Sequence, residues 1–231
     1  MTRRLHSKTR QAVARLFDRL DYKTLGRIYC DEGGSAFWKA KKGPCQKLGL
    51  QLAEALRGRL KQGGMSLCIG GGVAELPVLA METLELGRKV SVFNLRAEEV
   101  AVLNDACAGL PFSFIHGDAR AAEGAFDHAW MVSVLNDPER FPNLSDLSYG
   151  RANPATFDAA AFVTERAEVV ALADTCLRKL SCPGLVTTSV EEIPWITGWC
   201  EQHRVLCAVE GNNYPTALVE DPLCFIRIGG R

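Results

Sequence analysis

Apolar positions follow two different rhythms along this 231-residue chain, and the change falls near residue 65. Before it, Val13, Leu16, Phe17 and Leu20 recur every three or four residues, which predicts an amphipathic helix over roughly residues 8–20. Leu48, Leu52, Ala55, Leu56 and Leu60 form a second helical stripe, and Gly63-Gly64 ends it, since glycine commonly stands just past a helix C-terminus. Between the two, LDYKTLGRIYCDEGGSAFWKAKKGPC is aromatic-rich, and Gly33-Gly34 and Gly43-Pro44 are expected to break it.

After Met65 the rhythm shortens. MSLCI, KVSVFNL, PFSFIHGDA and AFDHAWMVSVL predict four strands, and LVTTSV, VLCAV and LCFIRI predict three more. The uniformly apolar MSLCI suits a strand covered on both faces. Residues after the glycines to about Leu86, Arg96 to Cys107, and 158–180 predict helices, with Pro77 tolerated in a first turn. Residues 136–154 are expected to be a loop, and a loop of that length usually serves function. Strands alternating with helices predict an α/β fold: a doubly wound, mostly parallel seven-stranded sheet, helices on both faces, and a helical N-terminal cap. Residues 1–62 are expected to form the basic cap or lid, and 63–231 the sheet domain.

Charge changes this picture more than composition does. Hydrophobic content of 47% is ordinary, and no run approaches the ~18 apolar residues of a membrane span, so no membrane partner is expected. Nine cysteines with no CxxC pair point to free thiols and a reducing cytoplasm. Cys200, His203 and Cys207 lack a fourth ligand, so no metal is expected. The net charge of zero conceals a split: residues 1–62 hold 15 Lys/Arg and 5 Asp/Glu, leaving 12 and 22 for the rest. Such a segment suits RNA or an acidic protein, or simply neutralises the body it packs on.

The first strand runs into Gly70-Gly71-Gly72, at the turn where doubly wound sheets bind ligands. A dinucleotide fingerprint would place glycine at 75, where this chain has Glu75, a carboxylate that opposes pyrophosphate; Arg96 is the one residue that favours an NADP-like 2′-phosphate. No Gly-Lys-Ser/Thr follows, which excludes a phosphate loop.

IGGGVAE resembles the first motif of class I S-adenosylmethionine-dependent methyltransferases. Later segments agree in order and spacing: the second strand ending at Phe93-Asn94, the turn Gly117-Asp118-Ala119, the exit FDHAWMVSVLN, and LRKLSCPGLVTTSV before the fifth strand. The resemblance covers residues 65 to about 230 and implies S-adenosylmethionine as cofactor. By it, Gly70, Gly71, Gly72 and Ala74 approach the cofactor, Asp118 and Ala119 flank its adenine, and Ser133 lies at the transfer site. Asn94, followed by Leu95, stands where the family usually has an acid on the ribose hydroxyls. An amide bond there lacks charge assistance, a difference of about 1 kcal/mol.

No NPPY-like tetrapeptide follows the fourth strand. The catalytic candidates are His116, Asn136, Asp137 and Tyr149, the first with strand capping and the next two with a turn as the plainer role. Tyr22, Tyr29, Trp38 and Tyr149 are the lid candidates. The expected function is methyl transfer to an acceptor, a small molecule, RNA or protein, that the sequence does not name. The alternative is a methyltransferase-shaped protein that binds RNA or a protein partner through its basic N-terminal segment without catalysis.

Overall fold

The computed structural model describes residues 4–29, 34–218 and 221–229. Three helices come first: α1 (Ser7–Arg19), α2 (Tyr22–Ile28) and α3 (Gly34–Arg57). Then follow β1 (Met65–Ile69), α4 (Leu76–Leu84), β2 (Lys89–Asn94), α5 (Ala97–Cys107), β3 (Phe114–His116) and β4 (Phe126–Met131). The chain continues through α6 (Pro142–Ser148), α7 (Ala159–Leu177), β5 (Leu180–Ser189), α8 (Ile193–Gln202), β6 (Cys207–Val209) and β7 (Leu223–Ile228). The seven strands lie in the order β3-β2-β1-β4-β5-β7-β6, and only β7 runs against its neighbours.

The expected doubly wound sheet is therefore present, with period-two side chains dividing its two cores. Cys68, Val92, Trp130 and Phe225 face α1–α5, whereas Leu67, Ile69, Met131 and Ile226 face α6–α8. The N-terminal helices share the first of these cores: Val13, Phe17, Leu25, Trp38 and Leu56 are buried with Leu76, Leu79 and Leu103. Gly49 marks where α3 meets α4, since a Cβ there would lie 2.5 Å from Pro77 Cγ.

Three local expectations change. Gly43-Pro44 does not end a helix: α3 runs through it, because Pro44 is exposed while Trp38, Cys45 and Leu52 continue the buried stripe. Gly33, of the other expected break, lies outside the described residues, and Gly34 opens α3. The 136–154 loop contains α6, started by Pro142 at its first turn and anchored by buried Leu144. Helices α2 and α8 were not expected; α2 is capped by Asp21, whose carboxylate accepts from the N–H groups of Lys23 and Thr24.

Candidate functional site

Strand order reverses between β1 and β4, and there the carboxyl ends of the strands open into a cavity of about 740 Å³. Gly70, with φ +70°, turns the chain out of β1 in a left-handed conformation that suits glycine. The Gly71 N–H donates to Phe93 O at 3.0 Å, and the Gly72 N–H donates to Glu75 Oε2 at 2.7 Å. Two donors that a phosphate would use are therefore taken. Gly70, Gly72 and Ala74 line the cavity. Gly71 is different: its Cα faces the core, where a Cβ would meet Val92 Cγ1 at 2.5 Å.

Asn94 borders the cavity but its amide is committed. Nδ2 donates to Gly71 O at 2.8 Å and to Glu99 Oε2 at 3.0 Å, while Oδ1 accepts from the Arg96 N–H at 2.7 Å. The side chain clamps the first strand–turn–helix unit to the second. A carboxylate is present beside it, on Glu99 in the first turn of α5. Its Oε2 also accepts from Tyr29 Oη at 2.6 Å, and its Oε1 lies 3.2 Å from where a Gly72 Cβ would stand. Burial raises the Glu99 pKa. An acid at position 94 would face both the Gly71 carbonyl and Glu99. Asn94→Asp is accordingly expected to destabilise the fold by about 1–2 kcal/mol, even though the resemblance places an acid there. Urea unfolding checks this, and an unchanged midpoint would remove the clamp.

Leu95, Asp118 and Ala119 also line the cavity. The Asp118 carboxylate accepts from the Arg120 N–H at 2.8 Å and pairs with its guanidinium at 2.6 Å, which holds its pKa below the usual range. At the β4 exit Ser133 has φ +54°, an unusual conformation for a residue with a side chain. Glu192 holds it there: the buried carboxylate accepts from the N–H groups of Ser133 (3.0 Å), Val134 (2.6 Å) and Leu135 (2.5 Å), and from the hydroxyls of Thr188 and Ser189. Asp137 lines the cavity, and burial raises its pKa.

The remaining candidates divide between the wall and other places. His116 is exposed on the edge strand β3. Asn136 is buried away from the cavity wall, its Nδ2 donating to Glu191 O at 3.3 Å and its Oδ1 accepting from Trp195 Nε1 at 3.1 Å. Tyr22 donates to Phe17 O at 2.6 Å, and Tyr149 donates to Asp221; neither is on the wall. Tyr29 and Trp38 are. Arg96 sits 4.6 Å over the Tyr29 ring and pairs with Glu139, joining the loops that leave β2 and β4. Cys200, His203 and Cys207 form no ligand set: His203 stacks on Trp199 and pairs with Asp174 at 3.2 Å.

Glu75 is 8% exposed, and burial moves its pKa from 4.5 to about 7. The folded state thus holds this proton more tightly than the unfolded chain does. The stability it confers is complete below about pH 4.5 and is lost as pH rises through about 7. Glu75→Gln should flatten the stability profile over that window and leave the variant about 2 kcal/mol more stable than the parent at pH 8. Urea midpoints at pH 5 and pH 8 check this, and parallel profiles would contradict it.

Two of these groups have different visibility in the sequence. Glu99 lies on the helical stripe of Leu103 and Ala106, so an acid on an apolar face was the available signal. Glu192 gives no local signal, because its partners lie up to 59 residues away.

No protein-family model and no curated protein matches the chain. Among solved structures, magnesium protoporphyrin IX methyltransferase of Synechocystis, crystallised with bound S-adenosylmethionine, aligns with 90% of this chain and 97% of its own. The identity is 13% and the TM-score 0.53. The chain has the class I methyltransferase fold. Precorrin-6Y C5,15-methyltransferase of Geobacter metallireducens aligns with 77% of this chain and 87% of its own, at 9% identity and a TM-score of 0.49. A methyltransferase of Pyrococcus furiosus gives 79%, 83%, 14% and 0.49 for the same four measures. In this methyltransferase fold the cavity lies beside the glycine turn, with Glu99 on one side and the β4 exit on the other.

Proposed function

We propose that the protein is an S-adenosylmethionine-dependent methyltransferase, with the cofactor over Gly70–Ala74, its ribose at Glu99 and its adenine at Asp118 and Ala119. The observation that carries this reading is the charge of the cavity wall. Glu99, Asp118, Asp137 and Glu139 stand against Arg96 and Arg140, while Glu75 is occupied by the Gly72 N–H and the Gly71 N–H is bonded to Phe93 O. Such a wall suits a cationic nucleoside without phosphates and repels the pyrophosphate of NADP. Glu99 brings the charge assistance that Asn94 lacks.

Bound there, S-adenosylmethionine supplies a methyl group already activated on a sulfonium. The chain's part is to align an acceptor and exclude water. Ser133 and Val134, held rigid by Glu192, line the side from which the acceptor approaches, and Tyr29 and Trp38 are on the same cavity wall. A reducing cytoplasm suits the buried thiols of Cys45, Cys68 and Cys107. Among the described residues no helix is long and apolar enough to cross a membrane.

Thermal unfolding with S-adenosylmethionine, S-adenosylhomocysteine and NADP tests the reading. A ligand at about 100 times its Kd adds about 2.7 kcal/mol, and for a protein of this size raises Tm by about 5 to 10 °C. Shifts with the first two alone support it, whereas a shift with NADP alone overturns it. No shift with any ligand transfers support to RNA or protein binding through α1–α3.

A further inference from the structure

We infer that the protein docks a nucleic acid, by its phosphate backbone, on a cationic strip that α1 and α2 lay along α5. This surface goes beyond methyl transfer and does not depend on it.

The charge split of the sequence leaves open whether the basic N-terminal segment simply neutralises the acidic sheet domain. The contacts decide against that. Among the described residues, Arg27, Arg57 and Arg59 pair with Glu98, Glu85 and Glu210 of that domain, and Lys42 pairs with Asp18 of its own segment. Arg4, Lys8, Arg10, Arg15, Arg19 and Lys23 are exposed and form no ion pair. The segment's described carboxylates are engaged elsewhere: Asp18 by Lys42, Asp21 as the cap of α2, and Glu54 by the Leu5 N–H. The excess positive charge therefore faces solvent.

Its placement is ordered. Lys8, Arg15 and Arg19 are seven and four residues apart, which puts them on one side of α1 over ~16 Å. Both α1 and α2 pack on α5. At the C-terminal end of α5, Arg15 and Arg19 border a groove of about 260 Å³ with Ala108, Gly109 and Leu110, and Arg19 Nη1 donates to Ala108 O at 3.1 Å. At its N-terminal end Arg27 meets Glu98 at 3.5 Å, with Lys23 one turn earlier on α2. Like charges four residues apart repel, and an anion between Arg15 and Arg19 relieves that repulsion. Guanidinium groups also match phosphate oxygens in pairs. Glu98 and Asp105 are the exposed carboxylates of α5, and Asp105 pairs with none of these cations, so the strip stays positive.

The strip suits a nucleic acid better than an acidic protein. Protein interfaces are built around aromatic or large apolar anchors. Among the described residues, none of the exposed large apolar side chains lies on α1, α2 or α5. Without exposed rings to stack on, bases are not read either, so affinity comes from phosphates and falls with salt. The strip is separate from the candidate site: Lys8, Arg15, Arg19, Lys23 and Arg27 are all absent from the cavity wall, whose carboxylates repel phosphate.

Fluorescence anisotropy of a labelled 20-base-pair RNA duplex with the full-length protein, from 50 to 200 mM salt, tests this. Five cations on five phosphates predict a slope of about −4.5 in log K against log salt, about a 500-fold loss over that range. Arg15→Gln/Arg19→Gln should reduce the slope to about −2.7, about a 40-fold loss. Arg166→Gln/Arg204→Gln removes the same charge from exposed positions on α7 and after α8, and should match the parent. Circular dichroism checks that both variants keep the fold. No binding at 50 mM salt, an unchanged slope in Arg15→Gln/Arg19→Gln, or an equal effect of the control pair overturns the inference. Displacement of the RNA by an equal concentration of a 20-residue oligoglutamate also overturns it, and gives the strip to an acidic protein.

Discussion

Replacing Glu192 with alanine is expected to destabilise the protein by about 4 kcal/mol, at the high end for a single substitution. The carboxylate is fully buried and accepts five hydrogen bonds, three of them from consecutive backbone N–H groups at the β4 exit. Deleting it leaves those donors buried without an acceptor, at about 1–3 kcal/mol each before relaxation. It also frees Ser133 from its left-handed conformation. Ser133 and Val134 then lose the shape that borders the cavity, so ligand affinity should fall with stability. Urea unfolding at neutral pH gives the measurement: a lower midpoint with an unchanged slope is expected. A loss below about 1 kcal/mol would mean that water replaces the carboxylate and that Glu192 is not what holds the exit.

Glu99→Gln should weaken binding of both S-adenosylmethionine and S-adenosylhomocysteine about 30-fold. The glutamine keeps the size of the side chain and a carbonyl oxygen for Tyr29 and Asn94, but it loses the charge. Hydrogen bonds to a charged group contribute about 1.5–3 kcal/mol against about 1 for neutral ones, and two ribose hydroxyls are affected. Isothermal titration checks the affinity, and circular dichroism checks that the fold survives. Parental affinity in Glu99→Gln would return the ribose contact to Asn94. Since Asn94 spends its amide on Gly71 and Glu99, the two assignments make opposite demands on the same pair of residues.

Much of the scaffold was legible because it depends on neighbours in the chain. The helix over 8–20, the strands from MSLCI onward and the helix from 96 to 107 all follow from spacing, and the structure differs by a few residues at their ends. The departures occurred where burial overrode a local signal. Pro44 sits inside α3 because the stripe from Trp38 to Leu52 is buried on both sides of it. The 136–154 segment forms α6 because Leu144 reaches the second core.

The site divides along the same line. Gly70, Gly72, Ala74, Leu95, Asp118, Ala119 and Ser133 were named from the resemblance of their motifs to those of class I methyltransferases, and all seven line the cavity. Which side chain does what at those positions was not legible. Asn94 is engaged by Gly71 and Glu99 by Tyr29, through contacts spanning 23 and 70 residues of chain. His116 and Asn136 stand beside cavity residues in the sequence, yet strand direction and a partner on α8 turn them away.

The sequence by itself determined the order of elements, the sheet they build and the turn at which a ligand meets it, because periodicity and glycine act over a few residues. Only the tertiary structure decided which carboxylates border the cavity, which of them are tied to neighbours, and which aromatic side chains wall it. Those outcomes depend on hydrogen bonds and burial between segments far apart in the chain, and no local pattern records them.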